Sequence, residues 1–178
     1  MMSLPLEAVL VVFCTASLSS PTYPFFEHGL SNMTAADNAR WEGWCGNNHY
    51  FGVPAPHKKW DECISFCEES EVEPGLRYYM ADATNKEEWD CAKEMMTIFK
   101  EHFSPNKTNH YWLGGSRTST GEFEWLSGEP FTFSDWLRED GHLHDPYIHI
   151  TAQNKFRWNT KSDEKDRNNG CVCKSYQQ

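Results

Sequence analysis

Between residues 60 and 103 the apolar positions fall at helical spacing. In HKKWDECISFCEES, Trp60, Cys63, Ile64 and Cys67 recur three and four residues apart, which predicts a helix with one buried stripe. Pro74-Gly75 breaks the pattern. A second helix is predicted in ATNKEEWDCAKEMMTIFKEHF, with Trp89, Ala92, Met95, Met96, Phe99 and Phe103 on its apolar face. Thr84 followed three residues later by Glu87 has the form of a capping box, and Ser104-Pro105-Asn106 ends the helix. After Asn109 the period changes from helical to alternating. HYWLGG predicts a short strand closed by two glycines. GEFEWLSG places Phe123 and Trp125 on one face and Glu122 and Glu124 on the other. KFRWN predicts a further strand, and GCVCKSY a closing strand with Cys171, Cys173 and Ser175 on one face. Upstream of the first helix, Tyr50 to Val53 reads as a short strand. Phe131 to Ile150 is rich in His, Asp and Pro without a period, which predicts a long loop. The element order is that of an α+β domain whose first and last strands meet in one sheet.

Composition narrows the class. The chain has 178 residues, room for one domain, and 15% aromatic residues including eight Trp, enough ring area for a compact core. Its formal net charge of −10 argues against nucleic acid as a partner, because an acidic surface repels phosphates. The first residues, MMSLPLEAVLVVFCTASLSS, carry a short apolar run, Ala8 to Ala16, followed by small residues. Residues 1–20 therefore read as a secretory signal, although a basic start is missing, and the run is too short to span a bilayer. Residues 21–40 read as an N-terminal extension and residues 41–176 as the folded domain. Six cysteines follow the signal: Cys45, Cys63, Cys67, Cys91, Cys171 and Cys173. An even number in a secreted chain predicts three disulfides. Asn32-Met33-Thr34 and Asn106-Lys107-Thr108 are glycosylation sequons that suit the same compartment.

Several of these segments, in this order, resemble the C-type lectin-like domain. HYF resembles its opening strand, WDECISFC its first helix with a disulfide cysteine, and MADATNKEE the turn into its second helix. YWLGG is similar to the family's Trp-Ile-Gly-Leu core motif, and FEWLSGEPFTFSDW to the paired-Trp segment after it. RWN and CVC stand where the late strands belong, so the resemblance covers about Trp41 to Tyr176. It implies two helices packed on small antiparallel sheets, a long irregular loop that carries binding, and a disulfide from Cys67 to Cys173. The family's second bridge has no cysteines here, in HDPYIHI or in TKSDEKDR. Two arrangements remain for the other four cysteines. Cys63 and Cys91 on the buried helix faces suggest Cys63–Cys91 with Cys45–Cys171. Alternatively, Cys63 lies one helical turn from Cys67 and Cys171 shares a strand face with Cys173, so that two neighbouring rungs are geometrically open.

Sugar-binding members of the family hold calcium with a Glu-Pro-Asn or Gln-Pro-Asp triplet from the loop and Trp-Asn-Asp from the late strand. Calcium needs six to eight oxygens. Glu129-Pro130 does not supply the triplet, since Phe131 brings no side-chain oxygen and the segment precedes Trp136. Trp158-Asn159 is kept, but Thr160 stands where the acid belongs. The resemblance therefore implies recognition without the usual calcium site, and no other cofactor is indicated. Candidate ligand-binding residues are Glu139, Asp140, Asp145, Tyr147, Trp158 and Asn159, as oxygen donors or stacking rings. By the resemblance, Trp125, Trp136 and Trp158 are for the most part core. His142, His144 and His149 with nearby carboxylates have zinc-ligand character, but a solvated polar loop accounts for them more simply. No nucleophile elbow, phosphate loop or His-Glu-x-x-His motif points to an enzyme. The expectation is a secreted, single-domain lectin-like protein that binds extracellular glycans or glycoproteins, of the kind soluble lectins use in innate defence. The alternative is a protein-binding or matrix domain with no carbohydrate affinity.

Overall fold

A computed structural model describes residues 40–103, 109–137, 145–162 and 169–176. The expected signal and most of the extension, both sequons, Glu139, Asp140, His142 and His144 lie outside the described residues. The chain opens with a hairpin of β1 (Trp41–Cys45) and β2 (Asn48–Lys58). Gly46 turns it with φ +62°, a left-handed conformation that favours glycine. Helix α1 (Trp60–Glu68), strand β3 (Arg77–Met80) and helix α2 (Lys86–Phe103) follow. Then come β4 (His110–Arg117), β5 (Phe123–Trp125), β6 (Tyr147–Thr151), β7 (Trp158–Lys161) and β8 (Asn169–Tyr176).

The strands form one sheet in the order β1-β2-β8-β4-β6-β7, with β3 on β8 and β5 on β4. All described pairings are antiparallel except β4 with β8. The expected meeting of the first and last strands is seen directly: Tyr50 pairs with Lys174 and Val53 with Cys171. Contact there is close enough to demand glycine. A Cβ on Gly170 would stand 1.8 Å from the Val53 carbonyl oxygen.

Strand alternation divides the interior into two cores. Trp89, Ala92, Met96 and Phe99 of α2 pack on Tyr111, Leu113, Ile148, Ile150, Trp158 and Val172. Trp60, Cys63 and Cys67 of α1 pack on Phe51, Tyr78, Met80, Trp112, Cys171 and Cys173. Neighbouring residues of β8 thus serve opposite sides, Val172 one helix and its cysteine neighbours the other, as a period of two requires. Burying each large apolar side chain contributes about 1.5–3 kcal/mol before the entropy cost of ordering it.

The disulfides take the two-rung arrangement. Cys63 joins Cys171 and Cys67 joins Cys173, each with Cα atoms 5.5 Å apart. Cys45 joins Cys91, tying β1 to α2. The alternative pairing of Cys63 with Cys91 and Cys45 with Cys171 does not occur. Its physical obstacle is the sheet itself: Cys63 faces the α1 side, whereas Cys91 packs against the core beneath α2.

Four local expectations are corrected. The α2 cap is Asn85: its Oδ1 accepts the Glu88 amide N–H at 2.8 Å, and Glu88 accepts from the Asn85 amide group at 3.0 Å. The Thr84–Glu87 frame is therefore one residue early. Trp41–Cys45 and Arg77–Met80 are strands that the apolar pattern did not mark. Tyr147–Ile150, expected as the end of the loop, belongs to β6. Lys155 and Phe156 have φ of +53° and +55°, so KFRWN is a left-handed turn before β7 and not one continuous strand.

Candidate functional site

The described chain stops at Leu137 and resumes at Asp145, and the segment before the break is firmly anchored. Asp135 is the main anchor. Its carboxylate accepts from Trp89 Nε1 at 3.1 Å and Lys93 Nζ at 2.7 Å, and pairs with Arg157 Nε at 3.4 Å. Its carbonyl accepts the Trp158 amide at 2.9 Å, and the Leu137 amide donates to the Trp158 carbonyl at 2.8 Å. One carboxylate therefore joins α2, the approach to β7 and the loop root. Behind it, Trp158 is 0% exposed and meets Trp89, Trp125, Phe131, Phe133 and Trp136 at centroid distances of 5.4 to 6.1 Å. Edge-to-face pairs dominate this cluster, as ring quadrupoles prefer.

Trp158 thereby corrects one sequence-based candidate. Its ring is enclosed by other aromatic residues and has no free face for a ligand to stack on. FEWLSGEPFTFSDW is scaffold: Phe131 stacks on Trp125 at 4.9 Å, while Glu129 and Pro130 lie exposed.

The other side of the same strands carries a different set. Register places Trp112 of β4 opposite His149 of β6, and His149 opposite Asn159 of β7. Tyr147 stands opposite Lys161. Trp112 lies 6.2 Å from the Tyr147 ring and 6.1 Å from the His149 ring, both edge-on. His110 stacks parallel to His149 at 6.4 Å. Lys161 Nζ reaches Asn169 Oδ1 at 3.4 Å. At the edge, Trp60, the first residue of α1, stacks on Tyr147 at 4.3 Å and donates its indole N–H to the Leu113 carbonyl at 2.8 Å. The result is a face of half-buried Tyr147, Asn159, Lys161 and His110 over a buried floor of Trp112 and His149.

Of the sequence-based candidates, the β6–β7 register sets Tyr147 and Asn159 on one face. His110, Trp60, Trp112 and Lys161 were missed as members of the face. They come from distant segments, and only the β4–β6–β7 register collects them. His149 is present but only 7% exposed, so it supports the face and does not project from it. Asn159 Oδ1 accepts the Thr160 amide at 2.9 Å, which commits part of its oxygen. Thr160 points to the opposite side, 7% exposed, and offers a hydroxyl where a carboxylate would be needed. Among the described residues no group of three His, Cys, Asp or Glu could hold a metal ion. The donor set seen here does not fit calcium, which needs several carboxylate or carbonyl oxygens. Instead the face offers a ring edge, amide and hydroxyl hydrogen-bonding groups, and one ammonium.

No family model matches the chain. Over 109 residues it is 32% identical to human C-type lectin domain family 17, member A, a match covering 58% of this chain and 24% of that one. The chain therefore spans about a quarter of the length of that curated relative. Human lithostathine superposes with a TM-score of 0.60 at 13% identity, over 75% of this chain and 95% of that one. The calcium-independent C-type lectin SPL-2 from Saxidomus purpuratus does so with a TM-score of 0.56 at 18% identity, over 75% of this chain and 89% of that one.

Proposed function

Because this chain carries a C-type lectin-like domain, we propose that it is a secreted protein recognising extracellular glycans or glycoproteins without calcium at the family's usual sugar site. Binding is centred on Tyr147, Asn159 and Lys161. Glu139 and Asp140, outside the described residues, belong to the same proposal as further oxygen donors. The observation that carries the reading is the β6–β7 register, which sets Tyr147 beside Lys161 and His149 beside Asn159 on one face. Such a face suits sugars physically: hydroxyls pair with amide and ammonium groups, and the C–H groups of a pyranose pack against the Tyr147 ring edge. Thr160 in place of an acid supports calcium independence, and SPL-2 is a calcium-independent lectin on the same fold. Three disulfides support an oxidising, extracellular setting. Signal removal at residues 1–20 and glycosylation at Asn32 and Asn106 belong to the same proposal, as does a part in innate defence.

A glycan array run with calcium and again with chelator tests the reading. The expected result is binding in both conditions. Tyr147→Ala and Asn159→Ala should each weaken it by about tenfold, the cost of one lost anchor or buried hydrogen bond. Binding abolished by chelator would overturn calcium independence. A blank array with a protein partner captured in its place would favour the protein-binding alternative.

A further inference from the structure

A second surface lies at the other end of α1. Its N-terminal residue, Trp60, borders the recognition face, whereas its last residue, Glu68, lines an open cleft. Nine residues of helix set the two ends about 12 Å apart. The cleft is walled by Glu68, Glu69, Glu71 and Glu73 on one side and Glu129 on the other, all exposed. Arg77 is the one cation among its lining residues. Two of the acids stand at the helix C-terminus, where the backbone carbonyls already carry negative partial charge and no basic residue occupies the last turn. Such placement works against the helix and leaves negative potential directed at the opening.

Two independent features indicate what enters. The first is aromatic. Tyr79 and Tyr176 pair at 5.7 Å, Tyr176 is 38% exposed, and both line the cleft beside Leu76 and Val72. The second is an open strand edge. Among the described residues β3 pairs with β8 and with no other strand. Arg77, Tyr78 and Tyr79 all line the cleft, although successive strand residues face opposite ways. Three in a row fit a strand that borders the cleft along its edge. An unpaired edge offers backbone N–H and C=O groups to an extended peptide.

We propose that this cleft docks an extended, arginine- or lysine-rich polypeptide segment that adds to the free edge of β3. The carboxylates pair with its cations, and guanidinium groups stack over Tyr79 and Tyr176. This surface shares no residue with the face assigned to glycans, so the two proposals stand or fall separately.

The test is titration of the whole folded chain with a labelled hexa-arginine peptide, beside hexa-glutamate and a glycine–serine peptide. The expected result is binding of hexa-arginine alone, weakening steeply with salt. Glu71→Lys combined with Glu73→Lys should reduce affinity about tenfold or more, and Tyr176→Ala about threefold. The control is Glu122→Lys with Glu124→Lys, which makes the same change of net charge outside the cleft and should leave affinity unchanged. Hydrogen exchange should slow at the outward-facing amides of residues 77–80 when the peptide is bound. Equal losses from both charge-reversed pairs would reduce the interaction to overall charge and overturn the proposal. Unchanged exchange along β3 would overturn the added strand. Circular dichroism spectra and melting temperatures matching the parent show that the cleft variants are folded.

Discussion

Lys174 brings its ammonium into the sheet with 6% of its side chain exposed, 2.8 Å from Asp82 and 3.2 Å from Glu88. Tyr79 donates to Asp82 at 3.1 Å, while Tyr50 and Asn48 donate to Glu88 at 2.8 and 2.7 Å. The network satisfies both carboxylates, and its value lies in not being broken. Lys174→Met should cost about 3–5 kcal/mol, since two buried acids lose their counter-charge. Adding Asp82→Asn and Glu88→Gln should recover much of that loss in denaturant titrations. A single variant within about 1 kcal/mol of the parent would contradict this account. Nearby, His49 bonds through Nδ1 to the Tyr78 hydroxyl at 2.8 Å and is 4% exposed. Burial holds its pKa below the ordinary value of 6.5, partly offset by the charges of Glu42 and Glu73 and assisted by Arg40. Burial also raises the Tyr78 hydroxyl to about 12. The signs follow from linkage. The His49 contribution is present above pH 6.5 and fades as pH falls through its lowered folded value. The Tyr78 contribution is present below pH 10 and fades as pH rises through about 12. Stability measured against pH should therefore fall on both limbs, and His49→Gln should flatten the acid one.

The two disulfide rungs act together at the scale of elements. Each closes a long loop, with sequence separations of 108 and 106. On the chain-entropy model the first rung formed contributes about 4–5 kcal/mol. Once it exists, the second closes only a loop of a few residues and adds about 2–3 kcal/mol. Removing either rung, as Cys63→Ser with Cys171→Ser or Cys67→Ser with Cys173→Ser, should thus cost about 2–3 kcal/mol. Removing both should cost about 7 kcal/mol, more than the two single costs together. Equal, additive losses in denaturant melts would show that the rungs act independently. The helical stripes and the Cys171/Cys173 face were legible because helix and strand periods are strong local signals. What stayed hidden was decided by distant residues. ATNKEE fits a capping box in two frames, and the burial of Trp89 against the core accompanies the Asn85 frame. YIHIT alternates correctly, with Ile148 and Ile150 inward, but its polar partners Tyr147, His149 and Thr151 are held on the other side of the sheet by Trp112 and Trp60. Nothing local in the sequence announces those neighbours. The same holds for Trp158, whose burial depends on five rings from three segments.

For the whole molecule, the donor set of the face proposed for glycans predicts indifference to calcium. A bound ion stabilises the folded state by an amount set by its concentration over Kd, so a site occupied a hundredfold above Kd would add about 2.7 kcal/mol. Thermal melts with millimolar calcium and with chelator should coincide. A rise of several degrees would place a calcium site on oxygens beyond those described.

The position of β8 has a consequence for how the protein is made. Residues 169–176 come after every other described strand, yet they lie mid-sheet between β2 and β4 and carry two of the three half-cystines that α1 and β1 do not. During translation the nascent chain must wait, with the edges of β2, β3 and β4 open and both thiols of α1 unpaired, until residues 169–176 emerge from the ribosome. A premature stop codon that spares nearly nine-tenths of the domain would leave that gap permanent, and the truncated product should be recovered as aggregate.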